Sequence, residues 1–193
     1  MLRRKDYYYV KARREGYRSR AAYKLKQIAV KFKIFQDVKK VIDLCCAPGG
    51  WLQVAREFVG EEGQIIGVDL VDIRSIPSVT FIKGDIQKEE TLQRILEVAG
   101  EVDLVLSDCS PKVSGVWCLD HERQIQLARA SLNIAKHTLR KGGTLVLKVF
   151  QGSEYTTILE EIRKSFRKVY TTKPAASRRR SAEMYVIAKY FMK

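Results

Sequence analysis

The sequence has little of what builds metal and redox centres. Four cysteines (Cys45, Cys46, Cys109, Cys118) and two histidines (His121, His137) occur in 193 residues, and no two cysteines form a CxxC pair. That spacing argues against a four-ligand zinc site, so no metal is expected. Long apolar runs are missing too: none reaches the ~18 uncharged residues that cross a bilayer. The opening Met1-Leu2-Arg3-Arg4-Lys5-Asp6 leads into tyrosines and arginines rather than a signal core. There is no internal repeat, low-complexity tract or interdomain linker, and the length suits one domain at ~150 residues each. A soluble, cytoplasmic, monomeric chain is expected, with no membrane partner. Cys45, Cys46 and Cys109 lie in or beside apolar strand-like runs, and without a secretion signal they are expected to be buried reduced thiols.

Acids are scarce at the two ends. Overall 36 Lys and Arg face 22 Asp and Glu, a formal charge of +14. Residues 1 to 26 carry +8 and residues 163 to 193 carry +9, leaving −3 on the middle. Basic surfaces can serve solubility alone, but this concentration at both ends favours a polyanion partner, nucleic acid.

Apolar periodicity alternates strands with helices. A helix from Ser19, read as its N-cap, to Ala29 precedes the strand Val41 to Cys45. Further strands are predicted over Gln64–Leu70, Val79–Ile82, Val102–Asp108 and Gly143–Phe150, with helices over Trp51–Val59, Glu89–Ala99, Asp120–Leu139 and Tyr155–Phe166. Two closing strands, Lys168–Thr172 and Met184–Tyr190, are joined without a helical pattern, so they are expected to be antiparallel. Continuous apolar strands that alternate with helices predict an α/β fold, a mostly parallel sheet covered on both faces. Ligands of such sheets bind at the carboxyl ends of the strands, at the switch point.

The unusual residues collect at those ends. Gly49 and Gly50 follow the first strand, where glycines let backbone approach a ligand and a helix N-terminus offers free N–H groups. Asp69 ends the second strand, placed for both ribose hydroxyls of an adenosine-bearing cofactor. The loop lacks G-x-G-x-x-G, which argues against a dinucleotide. Asp85 follows the third strand, placed for an adenine edge or else a solvated loop acid. Asp108 ends the fourth, where a carboxylate needs a cationic partner or the cleft. Lys148 stands inside Leu145-Val146-Leu147-Lys148-Val149-Phe150. It is either a solvated edge residue or a buried lysine needing a partner, for which Asp108 is the match.

Seven segments together resemble the FtsJ/RrmJ family of ribose 2′-O-methyltransferases. They are Tyr17-Arg18-Ser19-Arg20-Ala21-Ala22-Tyr23-Lys24-Leu25, Asp43-Leu44-Cys45-Cys46-Ala47-Pro48-Gly49-Gly50-Trp51, Gly67-Val68-Asp69, Gly84-Asp85-Ile86, Leu106-Ser107-Asp108, Leu147-Lys148-Val149-Phe150 and Ser177 to Tyr185. The resemblance implies a Rossmann-like methyltransferase fold with a seven-stranded sheet whose last strand is antiparallel. It would be one domain over 1–193, with an arm and helix over 1–34 and the catalytic sheet over 38–193. It further implies S-adenosyl-L-methionine as cofactor, contacts at Gly49, Trp51, Asp69, Asp85 and Asp108, and a Lys-Asp-Lys-Glu tetrad at Lys24, Asp108, Lys148 and Glu183. Cys45-Cys46 departs from the smaller pair usual in that loop.

The chemistry agrees with the resemblance. A ribose hydroxyl is a poor nucleophile, so the protein must align it with the methyl donor and accept its proton. Lys148 is the candidate base, oriented by Asp108, with Lys24 nearby to favour the neutral amine. Glu183, after Arg178-Arg179-Arg180, orients Lys24 or the ribose, or is a surface acid balancing those arginines. RNA would meet Arg3, Arg4, Arg13, Arg14, Arg18 and Arg20 at one end and Arg178, Arg179 and Arg180 at the other. Tyrosines between the first set could stack bases or pin the arm to the body. The expected substrate is a uridine of large-subunit rRNA, as RNA or assembled subunit. A tRNA anticodon loop and a non-catalytic RNA-binding role remain as alternatives.

Overall fold

The computed structural model describes residues 7–193, so Arg3 and Arg4 lie outside the described residues. Seven strands join one sheet: β1 (Lys40–Leu44), β2 (Gln64–Asp69), β3 (Val79–Lys83), β4 (Val102–Ser107), β5 (Leu139–Phe150), β6 (Phe166–Thr172) and β7 (Glu183–Phe191). Their spatial order is β3-β2-β1-β4-β5-β7-β6. β1 to β5 are parallel, and β7 runs antiparallel between β5 and β6. The strand order reverses beside β1, so the switch point opens between the ends of β1 and β4.

Among the described residues there are six helices: α1 (Tyr7–Arg14), α2 (Ala22–Phe32), α3 (Gly50–Val59), α4 (Glu89–Ala99), α5 (Trp117–Thr138) and α6 (Tyr155–Arg163). Among the described residues no helix is long and apolar enough to cross a membrane. Two readings of the amino-terminal region need correction. The basic arm contains a helix of its own, α1, and α2 begins at Ala22 with Ala21 at its cap position and no side-chain cap. Ser19 instead lies against Gly50, where a Cβ would come within 2.3 Å of its Oγ.

The period of two along each strand sorts the core into two faces. Ile42, Leu44, Ile66, Val68, Leu145 and Leu147 pack with α4, α5 and α6. Val41, Ile65, Leu104, Leu106, Val146 and Ile187 pack with α2 and α3. Continuing the second set toward the carboxyl ends of the parallel strands puts Asp43, Asp69, Asp108 and Lys148 on the α2–α3 face. Because β7 is antiparallel, its first residues Glu183 and Tyr185 reach the same edge. Burying each neighbouring leucine or valine of β5 stabilises the sheet by about 1.5–3 kcal/mol, which offsets the cost of one paired lysine among them.

The arm is clipped to the loop after β1. The Arg18 guanidinium donates to the carbonyls of Pro48 (3.2 Å), Arg74 (2.6 Å) and Ser75 (2.9 Å). The Gln53 amide accepts from Arg18 N–H at 2.8 Å and donates to the Gly16 carbonyl at 3.0 Å. Trp51 Nε1 donates to the Ala21 carbonyl at 2.9 Å. These bonds anchor α2, and Lys24 with it, over the sheet edge.

Candidate active site

A cleft of about 640 Å³ opens at the switch point, lined by Ala47, Asp69, Asp85 and Asp108 and walled by α5 residues such as Gln126. Asp69 accepts N–H bonds from Ala47 (2.8 Å, Oδ2) and Val71 (2.9 Å, Oδ1), which fixes the carboxylate. Asp85 Oδ1 accepts from Gln87 N–H at 2.9 Å. Each oxygen keeps a lone pair for a ligand. Both acids therefore line the cleft at the strand ends.

The glycines and the tryptophan sit differently. The space beyond Gly49 is taken by Arg18, 2.9 Å from where a Cβ would lie, and its φ of 107° favours glycine. On their Cβ side Gly49 and Gly50 thus make room for the arm. Trp51 is buried with its ring on Tyr185, centroids 5.9 Å apart. With Gly50 and Asp108 it borders a narrow slot beneath the cleft, where Asp43 also lies.

Asp43 was not singled out by the sequence. It is 1% exposed, and neither carboxylate oxygen has a hydrogen-bond partner. Burial, with Asp108 and Asp69 nearby, pushes its carboxyl well above the ordinary range.

The thiol expectation also needs correcting. Cys45 and Cys109 form a disulfide across 64 residues. The β1–β4 register, Leu44 opposite Ser107, brings the two strand exits side by side. Cys46 stays a buried free thiol, packed close to Gly67.

The four residues of the implied tetrad meet in one network. Lys148 is 5% exposed on an interior strand, which removes the solvated-edge reading. Its Nζ lies 3.2 Å from Asp108 Oδ1 and donates to the Asp108 carbonyl at 2.7 Å. Lys24 Nζ pairs with Glu183 Oε2 at 2.9 Å, so Glu183 is no mere balance for the arginines. Tyr185, which sequence reasoning missed, joins the two pairs: its hydroxyl donates to Asp108 Oδ1 at 2.6 Å and accepts from Lys24 Nζ at 3.0 Å. The register Lys148↔Tyr185 and Phe150↔Glu183 puts these groups on one face. Burial opposes ionisation of Asp108, yet Lys148, Lys24 and the Tyr185 hydroxyl together hold its carboxyl below the usual range. Burial and the facing carboxylates Asp108 and Glu183 push the Tyr185 hydroxyl well up, so it remains a donor.

Past Ser107, β4 no longer pairs with β5. Gln124 of α5 takes over there, donating to the Lys148 carbonyl at 2.7 Å and accepting from Phe150 N–H at 2.9 Å. This buried amide fixes the backbone that carries Lys148.

The arginines fall into three groups. Arg13, Arg14, Arg178, Arg179 and Arg180 are exposed. Arg20 and Arg178 line a second cavity of about 440 Å³ on the Lys24–Glu183 side of the network. Arg18 donates to three protein carbonyls and clips the arm to the loop after β1.

A parallel sheet with one reversed strand, an acid-lined cleft at its switch point and a buried lysine–aspartate pair beside it define a Rossmann-like methyltransferase. The chain belongs to the FtsJ-like methyltransferase family, whose model matches residues 17–191. It is 52% identical to a protein named ribosomal RNA large subunit methyltransferase E from Methanothrix thermoacetophila, over 96% of this chain and 72% of that protein. With the protein of the same name from Archaeoglobus fulgidus it shares 49% identity over 100% of both chains. Among solved structures it superposes on a Plasmodium falciparum chain named as a ribosomal RNA methyltransferase. The TM-score is 0.79 at 31% identity, covering 91% of this chain and 98% of the other.

Proposed function

We propose that this chain methylates the ribose 2′-hydroxyl of a uridine in large-subunit ribosomal RNA, with S-adenosyl-L-methionine as donor. The names of the relatives support the RNA class. The observation that carries the reaction is the buried Lys148–Asp108–Tyr185–Lys24–Glu183 network set between two cavities. The donor fits the chain's residues: Asp43, a buried carboxylate without a partner, suits a cationic group, Asp69 suits ribose hydroxyls, and Asp85 suits the adenine edge. When bound, this donor supplies a methyl group already activated by its sulfonium charge.

The protein's share is alignment and proton handling. Lys148 is the group placed to take the proton that the 2′-hydroxyl releases as its oxygen bonds to the methyl carbon, once its own ammonium has passed a proton to solvent. The ammonium so formed is received by the ionised Asp108 beside it. Tyr185 fixes the Asp108 carboxylate, and the Lys24–Glu183 pair orients the ribose from the second cavity. The exposed arginines Arg13, Arg14, Arg178, Arg179 and Arg180 meet phosphates. The chain acts as one domain, as a monomer in the cytoplasm.

Incubating the protein with methyl-labelled donor and large-subunit rRNA, large ribosomal subunits or tRNA tests this. Label is expected on a uridine ribose of the large-subunit RNA and is lost with Lys148→Ala. Label on tRNA alone overturns the substrate, and label on a base overturns the ribose chemistry.

A further inference from the structure

The second cavity has two aromatic residues in its lining, Phe150 at the end of β5 and Trp117 of α5. Its indole is 49% exposed, unusual for a tryptophan beside a buried ionic network. Two rings hold its plane: Phe150, with centroids 6.2 Å apart at 16°, and His121, 5.6 Å apart at 21°. His121 is itself fixed, since its Nε2 accepts from Glu154 N–H at 3.2 Å. Gly152 crowds it so closely that a Cβ there would come within 2.6 Å of the ring. Ahead of the helix, Asp120 accepts N–H bonds from Ser114 at 2.8 Å and Gly115 at 3.1 Å, fixing the turn that delivers Trp117. The indole is thus held rigidly with about half its surface open.

The charge of this cavity suits one kind of occupant. Arg20, Arg178 and Lys24 line it against Glu183 and Asp120. Glu183 is engaged by Lys24, and Asp120 by the loop amides. Arg20 donates to the Ala176 carbonyl, and the exposed Arg178 presents its charge to an anionic group in the cavity that Trp117 also lines. We infer that Trp117 is the stacking platform for the base of the acceptor nucleotide, with Arg178 holding an adjacent phosphate. This rests on the proposed RNA substrate and adds its subsite. A base on the indole would hang its ribose toward Lys24 and Lys148. Trp117 is then a positioning residue, reading the base by its face.

Base–aromatic stacking is worth ~1–3 kcal/mol per base, so Trp117→Ala should raise KM for in vitro transcribed large-subunit rRNA by about 5- to 150-fold. Donor affinity should not change, and Trp117→Phe should restore most of the loss. A readout apart from activity exists because the other tryptophan, Trp51, is buried at 3% exposure. Acrylamide-quenchable emission thus belongs to Trp117, and the same RNA should shield it. An unchanged KM with unshielded emission overturns the platform and leaves the methyltransferase reading standing. Shielding by RNA in a wild-type protein that transfers no methyl overturns that reading and keeps the platform.

Discussion

Asp43 near the end of β1 and Asp108 just past the end of β4 are neighbours on one face of the sheet, and they have opposite surroundings. Asp108 has Lys148 and Tyr185 within bonding distance, and its carboxyl is held low despite its burial. Asp43 has no partner, and burial drives its carboxyl up. A carboxylate whose partners come from the same chain is preorganised machinery. One buried without a partner is suited to a cation from outside. On the proposed function, the contrast separates the residues assigned to proton transfer from those assigned to holding the donor.

Four measurements would break or sharpen this contrast. The largest effect belongs to Asp108→Ala, which leaves Lys148 buried without its counter-charge. Urea unfolding should show a loss of about 3–5 kcal/mol, together with loss of methyl transfer; a stability change under about 1 kcal/mol would mean the pair is not held as described. Next is the Cys45–Cys109 link, which ties the two compared strand ends together. Reduction, or Cys109→Ser, should lower stability by about 2–4 kcal/mol, read as a fall in Tm under reducing agent. Tyr185→Phe keeps the ring packing and deletes one charge-assisted bond to Asp108, an expected cost of about 1.5–3 kcal/mol. It should also raise the pH at which acid unfolds the protein. The stability from Asp108 is present above the ordinary carboxylate range and lost as pH falls through its lowered value, and without Tyr185 that value moves up.

Asp43→Asn should act in the opposite direction and is the finest test. The penalty for Asp43 is absent below the ordinary carboxylate range and grows as pH rises toward its raised folded value. The variant should therefore gain on the wild type by about 1.4 kcal/mol for each pH unit in that window. It should also bind S-adenosyl-L-methionine more weakly. In the wild type, donor binding should release a proton, detectable by calorimetry in buffers of different ionisation enthalpy. If Asp43→Asn destabilises the protein as Asp108→Ala does, the two ends are alike and the contrast fails.

The alternation of strands and helices, the reversed strand and the Lys148–Asp108 pair were all legible, because a lysine within an apolar run demands a partner and only one strand-end acid lay close enough. Tyr185 was not, since a tyrosine in an apolar strand looks like core until the β5–β7 register sets it opposite Lys148. Asp43 looked like part of the loop motif, because nothing local shows that a carboxylate lacks a partner. The clip between Arg18 and the two glycines was not legible, for one reason. A guanidinium that binds carbonyls, and glycines that make room for it, depend on how residues some 30 to 57 positions apart approach one another, which local pattern does not encode.

The insertion of β7 between β5 and β6 has a bearing on biosynthesis. Lys24 leaves the ribosome early, but Glu183 and Tyr185 are on β7, and β5 lacks its neighbour on that side until β7 arrives. A nascent or truncated chain ending before residue 183 could display its basic arm and Lys148 but could not assemble the network around them. Synthesis of β7 is thereby the step that completes the network.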